Sequence, residues 1–250
     1  MHLQLTVAYD GGSFLGWQET KEGPSIQGTL RSCVEQVTGS PAKVEGASRT
    51  DAGVHAWGQI VSIRCEDRYP ADRLIYSLQC LLPETIAIRG WSEASESFHP
   101  SLDAIGKEYR YQVSLIRQPL LRHQVWTLPD TELNLSKMRE ATTILLGEHD
   151  FHAFATDHVH MPIKDPRCRL DRLEITTPSN GMIEIALCGN RFLYKMCRTL
   201  AGTLVDIGRG RLSLKDVKAA LESGRREQTG ICAPAAGLCL MRVLLSEDNP

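Results

Sequence analysis

No apolar stretch in this sequence approaches the roughly 18 to 20 residues that a membrane helix requires, which excludes a membrane-spanning role. The start, Met1-His2-Leu3-Gln4-Leu5-Thr6-Val7, lacks a basic region followed by a long apolar one, so it reads as a first strand rather than a secretory signal. There is no Cys-x-x-Cys pair among the eight cysteines, and most lie in apolar runs; the expectation is reduced thiols behaving as small core hydrophobes of a cytoplasmic protein. There is no Gly-x-Gly-x-x-Gly and no phosphate-loop motif, so nothing points to a nucleotide cofactor. Net positive charge is also missing: the formal charge is −2, so a nucleic-acid partner would need a locally basic surface. What remains, 42% hydrophobic and 23% charged residues over 250 positions, is the composition of a globular protein with one large core or two modest ones.

Periodicity divides the chain into strands and helices in alternation. Leu3, Leu5, Val7 and Tyr9 alternate with polar residues and predict a half-buried strand, broken at Asp10-Gly11-Gly12-Ser13. Ser25 is placed to cap a helix with apolar face Ile26, Leu30, Cys33, Val34 and Val37, stopped by Gly39 and Pro41. Strands follow at 43–48 and Gln59–Cys65, a helix opened by Pro70, and a strand over 85–91. In the second half, Lys107–Ile116 alternates as a strand and Ser136 is placed to cap a helix ended by Gly147. Ser179-Asn180-Gly181 joins two strands as a hairpin, a long helix spans about Phe192 to Ile207, Ser213 caps another, and Leu238–Leu245 is a final strand. Helices mixed with hairpins predict an α+β fold: two similar α/β subdomains with mainly antiparallel sheets, 1–104 and 105–250, docked tightly because no linker separates them.

Four segments could carry chemistry. Ser48-Arg49-Thr50-Asp51-Ala52-Gly53-Val54-His55-Ala56 is a polar loop between two predicted strands, where a scaffold presents reactive groups. Arg49 could keep a carboxylate ionised there, and the small Ala52 and Gly53 would let a bulky ligand approach the backbone. By composition alone Asp51 could equally be a turn former or cap. In the predicted helix over 192–207, Arg191, Lys195 and Arg198 share one face at i, i+4 and i+7, opposite Leu193, Cys197, Leu200 and Leu204. That basic stripe suits phosphate contact, or is a solvated face. Lys107-Glu108-Tyr109-Arg110-Tyr111 puts both tyrosines on one strand face, either to stack on unpaired bases or as core. Finally, His149, Asp150, His152, Asp157, His158 and His160 could be read as a metal site, but match no zinc spacing with cysteine; the surrounding Phe151 and Phe154 favour a packed turn.

Six pieces, in order, resemble the tRNA pseudouridine synthase A family: Tyr9-Asp10-Gly11-Gly12-Ser13-Phe14-Leu15-Gly16-Trp17-Gln18, Arg49-Thr50-Asp51-Ala52-Gly53-Val54-His55-Ala56, Phe98-His99, Tyr109-Arg110-Tyr111, Gly147-Glu148-His149-Asp150-Phe151 and Phe192-Leu193-Tyr194-Lys195-Met196-Cys197-Arg198. The resemblance spans nearly the whole chain. It implies the pseudouridine synthase fold with an active-site cleft between the subdomains. It implies a homodimer that converts uridine to pseudouridine at positions 38, 39 and 40 of the tRNA anticodon stem-loop, with no cofactor and no required metal. Asp51 then matches the nucleophile, Tyr109 the tyrosine on the target base, Arg198 the arginine paired with the catalytic Asp, and Arg49 an arginine that helps open the RNA. Arg191 and Lys195 are expected as RNA contacts from the basic stripe. The sequence departs from the family at Ser48, usually Gly, at Ser101, where a basic residue is common, and at Cys197, usually Val. Two other classes compete: a non-catalytic RNA-binding module with the same aromatic and basic surfaces, and a glycosidase-type hydrolase, which usually needs a second carboxylate.

Overall fold

The computed structural model describes residues 1–157, 162–179 and 181–246. By internal contacts the chain divides into two units, Met1–Ile105 with Cys239–Pro250, and Gly106–Leu238. The first unit therefore takes back the last segment of the chain.

In the first unit, strand β1 (His2–Tyr9) lies between β3 (His55–Arg64) and β4 (Ile86–Glu93), antiparallel to both. Strand β2 (Lys43–Gly46) pairs antiparallel with β3. Residues 239–240, on the C-terminal strand, pair in parallel with His55 and Ala56 of β3. The alternation in β1 is the cause of this sheet's core: Leu3, Leu5, Val7 and Tyr9 are all buried. Helices α1 (Ile26–Thr38) and α2 (Ala71–Leu81) pack on each other and bury Ile26, Leu30 and Val34, and Leu74, Ile75 and Leu78. The Ser25 side chain caps α1 by accepting from Gly28 N, and Gly39 ends it at φ +70, both as expected. Strand β3 begins at His55, four residues before the expected Gln59, which shortens the Asp51 loop.

In the second unit, β5 (Ala104–Ser114), β9 (Met182–Gly189), β8 (Arg167–Thr176) and β7 (Gly147–Asp150) are neighbours in that order, all antiparallel, and the two-residue β6 (Trp126–Thr127) pairs in parallel with β5. Helix α3 (Leu135–Leu145) packs on β8 and on α4 (Met196–Gly208), and also on α5 (Leu214–Ser223). The cap of α3 is Asn134, not Ser136: its side chain accepts from Lys137 N, so the helix starts one residue before the expected cap. Ser213 and Asp216 form the full capping box of α5. The β8–β9 hairpin forms as expected, with Gly181 at φ +73; Asn180, its central residue, lies outside the described residues. The final strand, β10 (Leu238–Leu245), closes the chain. The pairings are mainly antiparallel, as an α+β fold requires. Full burial of the cysteines is less common than expected: only Cys168 and Cys197 reach it, and Cys80 is exposed. Among the described residues no helix is long and apolar enough to cross a membrane.

Candidate active site

Residues 47–54 link β2 to β3, and their conformation is set by the segment that follows β1. Asp10 opens that segment by accepting from Gly12 N at 2.9 Å, which turns the chain back over the sheet. From there, Trp17 N donates to Thr50 O at 3.0 Å, and Phe14 O accepts from Gly53 N at 3.3 Å. Two glycines make the approach possible. A Cβ on Gly11 would stand 2.0 Å from Val54 O, and one on Gly16, whose φ is +94, 2.6 Å from Thr50 O. The Trp17 ring, 2% exposed, fills the space left by Gly46 under the loop.

Side chains complete the frame. Gln59, fully buried on β3, donates from Nε2 to Ser48 O at 2.6 Å and accepts at Oε1 from Ser48 N at 3.1 Å. Tyr9 Oη lies 2.8 Å from Thr50 Oγ1. Burial pushes the Tyr9 hydroxyl pKa well up, so it stays a neutral hydrogen-bonding group. Ser48 and Thr50 are thus buried and bonded, while Arg49 is exposed and Asp51 half-buried. With Ser48 and Thr50 bonded inward, Arg49 and Asp51 are left the more exposed of the four. Val54 N donates to Asp51 O at 3.1 Å and closes the turn through Gly53, at φ +78. His55 heads β3 with Nδ1 at 3.0 Å from Asp10 Oδ1 and 3.2 Å from Gly11 N; the tautomer decides which bond forms. Tyr9 and His55 stand in the sequence motifs without a role, and Gln59 reads as a strand residue. Their signal is only spatial, since the frame joins residues 41 or more apart in the chain for Tyr9 and His55.

The other expected site residues belong to the second unit. Tyr109 and Tyr111 do share a face of β5, but they form no open stacking platform. Tyr109 is 6% exposed and meets Phe192 edge-on, with centroids 5.2 Å apart at 82°. Tyr111 is fully buried, donates to Pro234 O at 2.8 Å, and has its hydroxyl pKa raised by burial. The core reading holds for Tyr111, while Tyr109 keeps only a small exposed edge.

The basic stripe needs correction. Helix α4 starts at Met196, and Lys195 sits before it in a left-handed conformation, φ 62 and ψ 4. Arg191 and Lys195 are therefore not one helical face with Arg198. Arg191 is held by the backbone oxygens of Arg167 and Asp165 and by the Asp165 carboxylate at 3.0 Å. Lys195 lies over the Tyr194 ring at 4.9 Å. From Met196 to Gly208 every residue of α4 is buried except Arg198. The sequence pattern misleads here because Thr199, Thr203 and Asp206 look like a solvated face but are enclosed; the helix is buried all round. Arg198 leaves this packing at the first turn, and its Nε donates to Ala233 O at 2.8 Å.

The histidine-rich segment is only in part the expected packed turn: His149 and Asp150 belong to strand β7, and the turn proper spans His152–Phe154. His149 Nε2 lies 2.9 Å from Leu146 O, and His152 pairs with Asp157 at 3.3 Å, while Phe151 and Phe154 are buried. Among the described residues no three His, Cys, Asp or Glu side chains cluster as metal ligands; His158 and His160 lie outside those residues.

Comparison with known proteins agrees with the order of motifs. A family model described as tRNA pseudouridine synthase matches residues 141–244. The tRNA pseudouridine synthase A 2 of Protochlamydia amoebophila is 37% identical over 97% of this chain and 94% of its own length. The tRNA pseudouridine synthase A of Citrifermentans bemidjiense is 35% identical over 98% of each chain. That of Geotalea daltonii is 37% identical over 97% of this chain and 98% of its own.

Proposed function

The chain belongs to the tRNA pseudouridine synthase A family, and from that premise we propose that it converts uridine to pseudouridine at positions 38, 39 and 40 of the anticodon stem-loop, with Asp51 as its nucleophile. The carrying observation is the frame around residues 48–50: with Ser48 and Thr50 bonded inward, the Asp51 carboxylate is presented by a backbone that cannot easily shift. Such preorganisation is what a group reacting at a defined carbon needs.

The reaction breaks the C1′–N1 bond, turns the uracil, forms C1′–C5, moves a proton off C5 and returns one to N1. No atom is gained or lost overall. The target nucleotide must first leave the stem, which costs a few kcal/mol. In this reading Arg49, exposed beside Asp51, enters the space left behind. Asp51 acts ionised, by attack at C1′ or by initiating through the sugar C2′. Arg198 is read from the family resemblance as the arginine that pairs with Asp51, and Tyr109, its ring held by Phe192, packs on the base near C5. Water must be kept from the glycosyl centre, or isomerisation would become hydrolysis. Lys195 is the better of the two phosphate candidates, since Arg191 is committed to Asp165. The protein works as a homodimer in the cytoplasm, as the family resemblance implies.

Mapping pseudouridine in tRNA from cells with and without this protein tests the reading. Loss at positions 38–40 is expected. Intact pseudouridine there, with purified protein still binding tRNA, would support a non-catalytic module instead. Release of free uracil would support a hydrolase.

A further inference from the structure

Arg198 stands in the first turn of α4, where the positive end of the helix dipole disfavours a cation. Its alignment is supplied by another segment. Residues 230–234 cross α4 with almost no gap. A Cβ on Gly202 would stand 1.9 Å from Ile231 O, and one on Gly230, 2.6 Å from Thr203 Cα. Bonds to α4 and β5 fasten the crossing besides the guanidinium's own. Gly230 N donates to Thr203 Oγ1 at 2.9 Å and Ile231 N to Asp206 Oδ2 at 3.3 Å. Ala233 N donates to Arg198 O at 3.1 Å, and Tyr111 Oη donates to Pro234 O at 2.8 Å. The product of this fastening is one carbonyl, Ala233 O, held 2.8 Å from Arg198 Nε.

Asp206 and Tyr111 are costly residues to place here. Asp206 is a buried carboxylate with Arg211 at 3.6 Å as its ion partner, and Tyr111 is fully buried with a polar end. A core that was only to be filled would do better with apolar side chains at these positions, one on α4 and one on β5. Both instead spend their polar atoms on the crossing strap.

We propose that residues 230–234 are a strap that aims the Arg198 guanidinium, and that Gly202, Asp206 and Tyr111 are positioning residues for the isomerisation, acting through Arg198. This rests on the reading of Arg198 as partner of the reacting carboxylate.

A double-mutant cycle under single turnover on unmodified tRNA tests it. Gly202→Ala should lower the rate at least about tenfold, with the tRNA concentration for half-maximal rate changed by less than about threefold. In an Arg198→Ala background the same substitution should cost less than about twofold. Should Gly202→Ala fail to fold, Tyr111→Phe keeps the ring and removes the bond to Pro234; the expected loss is about 2- to 10-fold, again only when Arg198 is present. Asp206→Asn, which keeps an acceptor for Ile231 N, should retain most of the rate that Asp206→Ala loses. Equal penalties with and without Arg198, or no penalty with Arg198 present, overturn the strap's role while leaving Arg198 in place. An Arg198→Ala variant of unchanged rate overturns the reading of Arg198 itself, and the strap with it.

Discussion

The Asp51 loop and the start of α4 hold Asp51 and Arg198 by opposite means. The loop fixes its backbone before the charge, through Gln59 on Ser48 and Tyr9 on Thr50, and after it, through Gly53 N on Phe14 O, and a short side chain follows. The helix fixes its backbone by burying every other residue, but arginine is long, so its far end needs a separate hold at Ala233 O. A short carboxylate follows its main chain closely, whereas a guanidinium at the end of a long side chain takes a second segment to hold. Glycine serves both regions alike, letting one backbone lie against another at Gly11, Gly16, Gly202 and Gly230.

Substitutions can break this comparison. The largest effect is expected at Gly16→Ala, which sets left-handed strain beside a contact of 2.6 Å with Thr50 O. Stability should fall by about 2–4 kcal/mol in urea denaturation, from overpacking and strain together, and turnover should fall more than about tenfold as the Asp51 turn shifts. Gly230→Ala is next, at about 1–3 kcal/mol from overpacking against Thr203; loss of rate without loss of tRNA binding would tie it to Arg198.

Tyr9→Phe should cost about 1–2 kcal/mol near neutral pH, because Thr50 and Gln59 lose a buried partner. It should also change the alkaline limb. An unfolded tyrosine ionises near 10.0, and burial keeps Tyr9 protonated well above that. The folded state is therefore fully favoured below pH 10 and loses stability as pH rises beyond it. The variant should show a shallower loss than the parent; an unchanged slope would remove Tyr9 from the account. The smallest effect is a control: Asn134→Ala, which uncaps α3, should cost about 1 kcal/mol and leave turnover unchanged, whereas Ser136→Ala should stay within about 0.5 kcal/mol.

The two regions also differ in how far sequence reveals them. The Asp51 loop is legible because turn residues separate two runs of strand periodicity, and Asp51 follows from order and resemblance. Its supports are not legible: Gln59 looks like an ordinary strand residue, and only the β2–β3 pairing brings it to Ser48. Helix α4 is harder. Arg191, Lys195 and Arg198 fall at helical spacing, so periodicity suggests a basic stripe, but the helix begins only at Met196, after Lys195 in a left-handed conformation, and Thr199, Thr203 and Asp206 are enclosed. The strap at 230–234 carries no periodic signal at all. Strand β1 is legible because its alternation has a single buried face, whereas the short β6 and β7 carry no such run.

The central claim is that Asp51 carries the chemistry, and single-turnover pseudouridine formation by Asp51→Ala on unmodified tRNA tests it most directly. The account predicts tRNA binding within about threefold of the parent and product formation reduced by more than about 10⁴-fold, the scale of loss when a nucleophile is removed. Pseudouridine formed at a rate near that of the parent would contradict it.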